Sequence, residues 1–131
     1  MDDIKDIPYG ISDFEQIIGD NYYFVDKTKY IPLVEKSLPN LLMIRPRRFG
    51  KSLFVGMLGA YYDILQKPRF DELFGNLWIG KHPTKNQGRF QVLRFDFSKV
   101  GGASSIEELK ESFDDYCGGI VNDFADKYAA F

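Results

Sequence analysis

The chain has 131 residues, of which 44% are hydrophobic and 16% aromatic, and this length allows one hydrophobic core but not two. Its formal charge of −2 at pH 7 gives no general attraction to nucleic acid or to an anionic membrane, and a single cysteine, Cys117, with a single histidine, His82, excludes an internal disulfide and a Cys/His zinc site. Because no apolar run approaches the roughly 20 residues of a membrane helix and the N-terminus is acidic, we expect a cytoplasmic protein without a signal peptide or membrane contact.

Two short helices and a short strand are predicted at the start of the chain. Ser12 is the predicted N-cap of the first helix, and Gly19 ends that helix. Residues 22–25 could form a short strand, although their aromatic side chains could also flank an adenine or fill a core. Asp26 then opens a second helix over residues 27–36. A helix cap followed by surface charge is one explanation of the Asp-Lys-Thr sequence at this point.

A buried strand and a buried helix are predicted on either side of the next turn. Residues 41–44 are Leu-Leu-Met-Ile, an apolar run bounded by Pro39 and Asn40, as is typical of a parallel strand that is buried on both faces. From Ser52 to Leu65 apolar residues occur on nearly every side of a helical projection, which predicts a helix buried against a sheet.

The turn between them resembles a phosphate-binding P-loop, or Walker A turn, that lacks one glycine. The P-loop pattern is glycine, four residues of any type, and then Gly-Lys-[Ser/Thr]. Gly50, Lys51 and Ser52 are in register with this pattern, whereas Arg45 takes the place of the first glycine. Arg45 adds a Cβ, and Pro46 fixes φ and removes a donor, so the loop either keeps its shape with a stiffer first half or no longer holds phosphate. The intact Gly-Lys-Ser favours the first interpretation.

The chemistry of phosphate binding explains this spacing. Backbone N–H groups of the turn and of the first helical turn form an anion cradle, to which the helix dipole adds partial positive charge. Gly50 would let a phosphate oxygen approach the backbone, and Lys51 would lie along the β- and γ-phosphates. Ser52 would coordinate Mg²⁺. Arg47 and Arg48 could touch the γ-phosphate, face a neighbouring subunit or be solvated.

The second half of the chain is predicted to add helices and one further strand. Residues 68–75 suggest a short helix ended by glycine. Residues 90–97 alternate well enough to form a second strand, joined to residues 41–44 by a right-handed crossover. Residues 105–128 are amphipathic and helical, with Gly118-Gly119 breaking or bending the helix.

Asp96 lies near the end of the second predicted strand, and two interpretations stay open. In a complete ATPase it could hold the water shell of Mg²⁺. Alternatively, it caps the turn at Ser98.

Three strings carry a resemblance to a known family. They are Ile-Pro-Tyr-Gly-Ile-Ser-Asp-Phe at residues 7–14, Tyr-Phe-Val-Asp-Lys-Thr-Lys-Tyr-Ile at residues 23–31, and Arg-Pro-Arg-Arg-Phe-Gly-Lys-Ser-Leu at residues 45–53. Their order and separation resemble the opening of the predicted AAA-ATPase-like family of bacterial and archaeal proteins. The replaced first glycine is a feature that this resemblance itself implies. The resemblance covers essentially the whole chain.

The resemblance implies an α/β fold, with residues 1–131 forming the N-terminal part of one three-layer P-loop NTPase-like domain with a parallel sheet. Family members are similar to AAA and STAND-type ATPases, run to several hundred residues and often carry a C-terminal domain resembling PD-(D/E)xK nucleases. Their Walker B string, resembling Leu-Ile-Asp-Glu-Tyr-Asp, lies downstream, and no such string follows Ser52 here. We therefore expect a piece of a larger ATPase, which could form a homo-oligomer and contact nucleic acid through a further C-terminal domain.

The leading hypothesis is ATP binding with Mg²⁺ through the variant Walker A turn. A second hypothesis is a nucleic-acid-binding module with a basic patch on this loop, and a third is a degenerate P-loop that serves as a scaffold or partner-binding domain. Asp96 and Ser52 are the predicted metal ligands. The predicted nucleotide-binding residues are Arg47, Arg48, Phe49, Gly50, Lys51, Ser52 and Leu53.

Overall fold

The computed structural model describes residues 4–37 and 39–131, of which 53% are helical. The chain divides into two compact units, the first ending at Phe90 and the second being Gln91–Phe131. In the described part of the first unit the α-helices are α1 (Phe14–Gly19), α2 (Ile31–Lys36), α3 (Lys51–Tyr62), α4 (Phe70–Phe74) and α5 (Trp78–Lys81). Short 3₁₀ helices form at Thr28–Tyr30 and Ile64–Arg69.

The predicted parallel sheet, and with it the three-layer α/β class, is wrong for the residues that the structure describes. Their strand content is 2% and consists of one isolated parallel bridge between Asp63 and Phe90. Residues 41–44 have no regular structure, and the side chains of Leu42 and Ile44 are 82% and 79% exposed. An apolar run favours burial, but a strand forms only where a neighbouring strand pairs with its N–H and C=O groups. Without that pairing, the predicted strand at 90–97 and the crossover are also absent from the described chain.

An aromatic cluster forms the core of the first unit. The ring of Phe74 lies 5.0 Å from that of Phe14, 5.5 Å from that of Tyr61 and 5.7 Å from that of Phe70. Burial of such rings is the main stabilising term, and their stacked and edge-on geometries add to it. The helix predicted after the turn therefore forms, but it is buried against α1 and the following helical segments instead of a sheet. The buried hydrophobic residues of the core cluster are Phe14, Ile31, Met57, Ala60, Tyr61, Leu73, Phe74 and Ile79.

Several helix boundaries follow the sequence signals, with one corrected cap. Asp13 caps α1 in place of Ser12, because its Oδ1 accepts hydrogen bonds from the N–H groups of Glu15 at 2.9 Å and Gln16 at 3.3 Å. The helix predicted over residues 27–36 is present, but it begins as a 3₁₀ turn before α2. The short helix α4 ends at Gly75, as predicted.

The Asp-Lys-Thr segment holds the N-terminus of α5. Asp26 Oδ2 accepts from the N–H of Trp78 at 2.7 Å, and Thr28 Oγ1 accepts from the N–H of Ile79 at 3.1 Å. The Thr28 hydroxyl in turn donates to Asp26 Oδ1 at 2.6 Å. Two N–H groups that a helix start leaves without helical partners are therefore bound by side chains from a distant segment. We call this arrangement of Asp26, Thr28, Trp78 and Ile79 the α5 clamp.

Replacing Thr28 with valine should lower the free energy of unfolding by about 1–3 kcal/mol, because the buried N–H of Ile79 loses its acceptor while the side-chain shape is kept. Urea unfolding followed by the fluorescence of Trp78 measures this loss. Thr28→Ser keeps the hydroxyl and is the control. A loss as large in the serine variant would show that packing, and not the hydrogen bonds, accounts for the effect.

The charge of Asp26 gives the clamp a pH dependence. Burial raises the pKa of Asp26, but hydrogen bonds from Thr28 and Trp78, with Lys29 nearby, lower that pKa overall. Because the folded-state pKa lies below the unfolded one, the stabilisation is complete above the unfolded value of about 3.9 and is lost as the pH falls through the folded value.

The second unit is built on the long helix α6 (Ile106–Lys127). Ser105 caps it by accepting from the N–H of Glu108 at 3.2 Å. The hydroxyls of Tyr116 and Tyr128 accept from backbone N–H groups of the preceding segment, which includes a 3₁₀ turn at Phe97–Lys99. The helix runs through Gly118 and Gly119, so of the predicted break or bend the break is wrong and the bend stays a prediction; each glycine costs only about 1 kcal/mol.

Within the described residues, no helix has both the length and the apolar character needed to cross a bilayer.

Candidate functional site

The turn at residues 45–50 leads directly into the N-terminus of α3, as the motif requires. Gly50 is the N-cap and has a φ of +76°, in the left-handed region that favours glycine. A Cβ built on Gly50 would meet no atom within 4 Å, so the space beside its backbone is open. Phe54 N–H donates to the Gly50 carbonyl at 2.9 Å, which begins the helix. An anion could therefore approach the backbone at the point where the N–H groups of α3 are exposed.

Arg48 is a second residue of this turn in the left-handed conformation, with a φ of +65°. For a residue with a Cβ this conformation costs roughly 1–2 kcal/mol. Backbone strain of this kind persists only where the surrounding structure imposes it, and it often occurs at ligand-binding turns. The two left-handed residues, Arg48 and Gly50, therefore give the turn its shape.

Lys51 folds back over the turn. Its Nζ donates to the backbone carbonyl of Arg45 at 2.9 Å. This contact uses only the main chain at the first position of the motif, so it survives the replacement of the usual glycine by Arg45. The lysine thereby keeps its ammonium group at the mouth of the turn, where the sequence predicts phosphate.

Two open cavities flank the turn. The larger, of about 660 Å³, is lined by Arg45 and Lys51, by residues 41–44 and by side chains of α2. The smaller, of about 380 Å³, is more apolar, with Tyr23, Phe24 and other hydrophobic side chains in its wall. Both are large enough for part of a nucleotide. Of the residues that the structure describes, four line both cavities, namely Lys27, Phe49, Gly50 and Phe54.

The predicted nucleotide-binding residues divide between these cavities. Lys51 lines the larger cavity, Arg48 and Leu53 line the smaller, and Phe49 and Gly50 line both. The side chains of Arg47 and Ser52 are exposed and line neither of these two cavities. Their roles toward nucleotide and magnesium stay predictions.

Asp96 lies in the second unit and caps a turn. Its Oδ1 accepts from the Ser98 hydroxyl at 2.6 Å and from the Ser98 N–H at 3.1 Å. These hydrogen bonds, the hydroxyl first, hold the pKa of Asp96 below its usual value, against a smaller effect of desolvation. The geometry is that of the turn cap, and a magnesium role for Asp96 stays a prediction. Among the described residues, no group of three or more His, Cys, Asp and Glu side chains could hold a metal ion.

Lys27 lies beside the turn, although the sequence interpretation does not include it among the candidate site residues. Surface charge is one explanation of this lysine, but its side chain lines both cavities beside the turn. The signal available in the sequence was its place in the Asp-Lys-Thr segment, one of the three strings of the family resemblance. The spacing between that segment and residues 45–52 could not show that the two lie together.

Comparison with known proteins supports the resemblance of the three strings. The family model described as Predicted AAA-ATPase matches residues 8–130. A protein of Azotobacter chroococcum mcd 1, named "Uncharacterized protein in vnfD 5'region", is 45% identical over 60 residues, which are 44% of this chain and 11% of that relative. The chain thus covers only a small part of the relative's length. No solved structure matches the chain.

Proposed function

Because the chain belongs to the Predicted AAA-ATPase family, we propose that it binds ATP with Mg²⁺ through residues 45–52, as part of a larger ATPase. The observation that carries this proposal is the start of α3. There, left-handed Gly50 leaves open space beside exposed helix N–H groups, and the Lys51 ammonium lies over the same turn. This combination is what a polyphosphate requires of a binding loop.

The residues of the turn fit the separate parts of a magnesium nucleotide. The N–H groups at the start of α3 would donate to phosphate oxygens. The Lys51 ammonium would leave the Arg45 carbonyl and bind the β- and γ-phosphates instead. The exposed Ser52 hydroxyl is placed at the first turn of the helix, where it could coordinate the metal. Magnesium, when bound, would supply charge neutralisation to the phosphates.

We assign nucleotide binding to this chain and ATP hydrolysis to the longer protein. Hydrolysis needs carboxylates that hold the metal and orient the attacking water, and the resemblance puts these in a Walker B string downstream of the present sequence. Assembly into a homo-oligomer, a cytoplasmic location and contact with nucleic acid through a further domain are parts of this proposal for the longer protein. Their support is the family resemblance.

A second candidate function is nucleic-acid binding by the turn itself. Arg45, Arg47 and Arg48 are all exposed in one loop, next to Lys51. Such a cluster could bind successive phosphates of a nucleic acid backbone. The net charge of −2 for the whole chain disfavours this candidate.

A thermal-shift experiment separates the two functions. Mg-ATP at about a hundred times its dissociation constant adds about 2.7 kcal/mol of stability, which should raise the melting temperature by several degrees. We expect this rise with Mg-ATP, a smaller one with ATP and a chelator, and little change with single-stranded DNA. Absence of any rise with Mg-ATP would contradict the proposal for this chain. A rise with DNA that needs no magnesium and falls with salt would support the second candidate.

A further inference from the structure

Lys27 occupies a distinctive place beside the turn. It lines both cavities that flank Gly50, and it is an exposed residue. The other cations of the two linings, Arg45 and Lys51 in the larger and Arg48 in the smaller, all come from the turn or from the start of α3. Among the described residues of these linings, Lys27 is thus the one cation that a different segment supplies.

The α5 clamp fixes the backbone on both sides of Lys27. Asp26 and Thr28 each accept a hydrogen bond from the start of α5, and they are also bonded to each other. Thr28 is fully buried, whereas Lys27 between them is exposed. The side-chain oxygens of Asp26 and Thr28 therefore take part in hydrogen bonds within the fold. Of Asp26, Lys27 and Thr28, it is Lys27 that lines the cavities beside the turn.

Lys29 provides a contrast within the same segment. It is also exposed, but it lines neither of the cavities beside the turn, and its ammonium lies 5.5 Å from the centre of the Tyr30 ring. The two lysines have the same chemistry and are two residues apart. They differ in that Lys27 lines the cavities beside the turn and Lys29 does not.

We propose that Lys27 is a second cation of the nucleotide site and contacts the phosphates of a nucleotide held at Gly50–Ser52, an inference that rests on the proposed function. A lysine ammonium is a compact charge with three donors on a flexible stem, which suits a phosphate chain with several negative charges. Because Lys27 borders both cavities, it reaches the phosphates whichever cavity receives the nucleoside. Its role is to neutralise charge and to hold the phosphate chain against the turn.

Isothermal titration with Mg-ATP tests this role in five proteins: the unaltered chain, Lys27→Met, Lys27→Arg, Lys29→Met and Lys51→Ala. Loss of a charge-assisted hydrogen bond should weaken Mg-ATP binding about tenfold in Lys27→Met. The arginine variant should keep most of the affinity, and Lys29→Met should match the unaltered chain. Adenosine, which lacks phosphates, should bind the unaltered chain and Lys27→Met equally. Melting without ligand checks that each variant is folded, and Lys27→Gln replaces the methionine variant if that one is not.

Each other result would overturn the inference, and the pattern shows whether the proposed function fails with it. Equal Mg-ATP affinity in Lys27→Met and Lys29→Met, with a large loss in Lys51→Ala, would reject the role of Lys27 and leave the proposed function in place. An equal loss for adenosine and Mg-ATP would mean that Lys27 shapes a cavity and does not contact phosphate. No binding of Mg-ATP by the unaltered chain would overturn both.

Discussion

Replacing Lys51 with alanine should weaken the binding of Mg-ATP at least tenfold and cut the rise in melting temperature to about half or less, at a ligand concentration about a hundred times the dissociation constant of the unaltered chain. The reason is the position of its ammonium, which lies over the turn and donates to the Arg45 carbonyl 2.9 Å away. A hydrogen bond to a charged group contributes about 1.5–3 kcal/mol, and each 1.4 kcal/mol is about tenfold in affinity. Thermal shifts at a series of Mg-ATP concentrations give the two dissociation constants.

The control for this variant is Lys36→Ala. Lys36 is an exposed lysine in the last turn of α2 and lines neither of the cavities beside the turn. The Lys36→Ala substitution removes the same charge from the same unit but from outside both cavity linings, so Mg-ATP binding should stay unchanged. Equal binding by Lys51→Ala and Lys36→Ala would favour a degenerate P-loop that serves as a scaffold.

Replacing Phe74 with alanine should destabilise the first unit by about 3–5 kcal/mol, the range measured for large aromatic residues in cores. Its ring is 1% exposed and packs between those of Phe14, Tyr61 and Phe70. Small domains are stable by only about 5–15 kcal/mol, so this one change removes a large share of the total. Urea unfolding monitored by Trp78 fluorescence measures it, because Trp78 is the single tryptophan and lies in α5.

Tyr9→Ala is the matched control for the core variant. The side chain of Tyr9 is 97% exposed, so its removal should change the free energy of unfolding by less than about 0.5 kcal/mol. A similar loss in both variants would show that aromatic residues act through the unfolded state and not through the packed cluster.

Several features that depend only on residues close in sequence were predicted correctly. Helix starts and ends depend on residues within one turn of each other, so the Gly50-Lys51 start of α3, the Gly75 end of α4 and the amphipathic α6 could all be found in advance. The cap of α1 was misplaced by one residue, because Ser12 and Asp13 are both good N-caps and only the hydrogen bonds to Asp13 decide between them. The family was confirmed by the match over residues 8–130.

The presence of a sheet could not be decided from such local signals. Residues 41–44 have the composition of a buried strand, but pairing depends on a partner strand at any distance along the sequence, and the described chain supplies none. Hydrophobicity measures the tendency to leave water and does not identify the surface that provides the burial. The strand predicted at residues 90–97 was wrong for the same reason.

The sequence by itself therefore determined the family, most of the helices and the turn that carries Gly50 and Lys51. Tertiary structure alone decided that Asp26 and Thr28 hold the start of α5 and that Lys27 faces both cavities beside the turn. The physical reason is distance along the chain. The hydrogen bond from Trp78 to Asp26 joins residues 52 positions apart, whereas caps and helical periods act within about four residues.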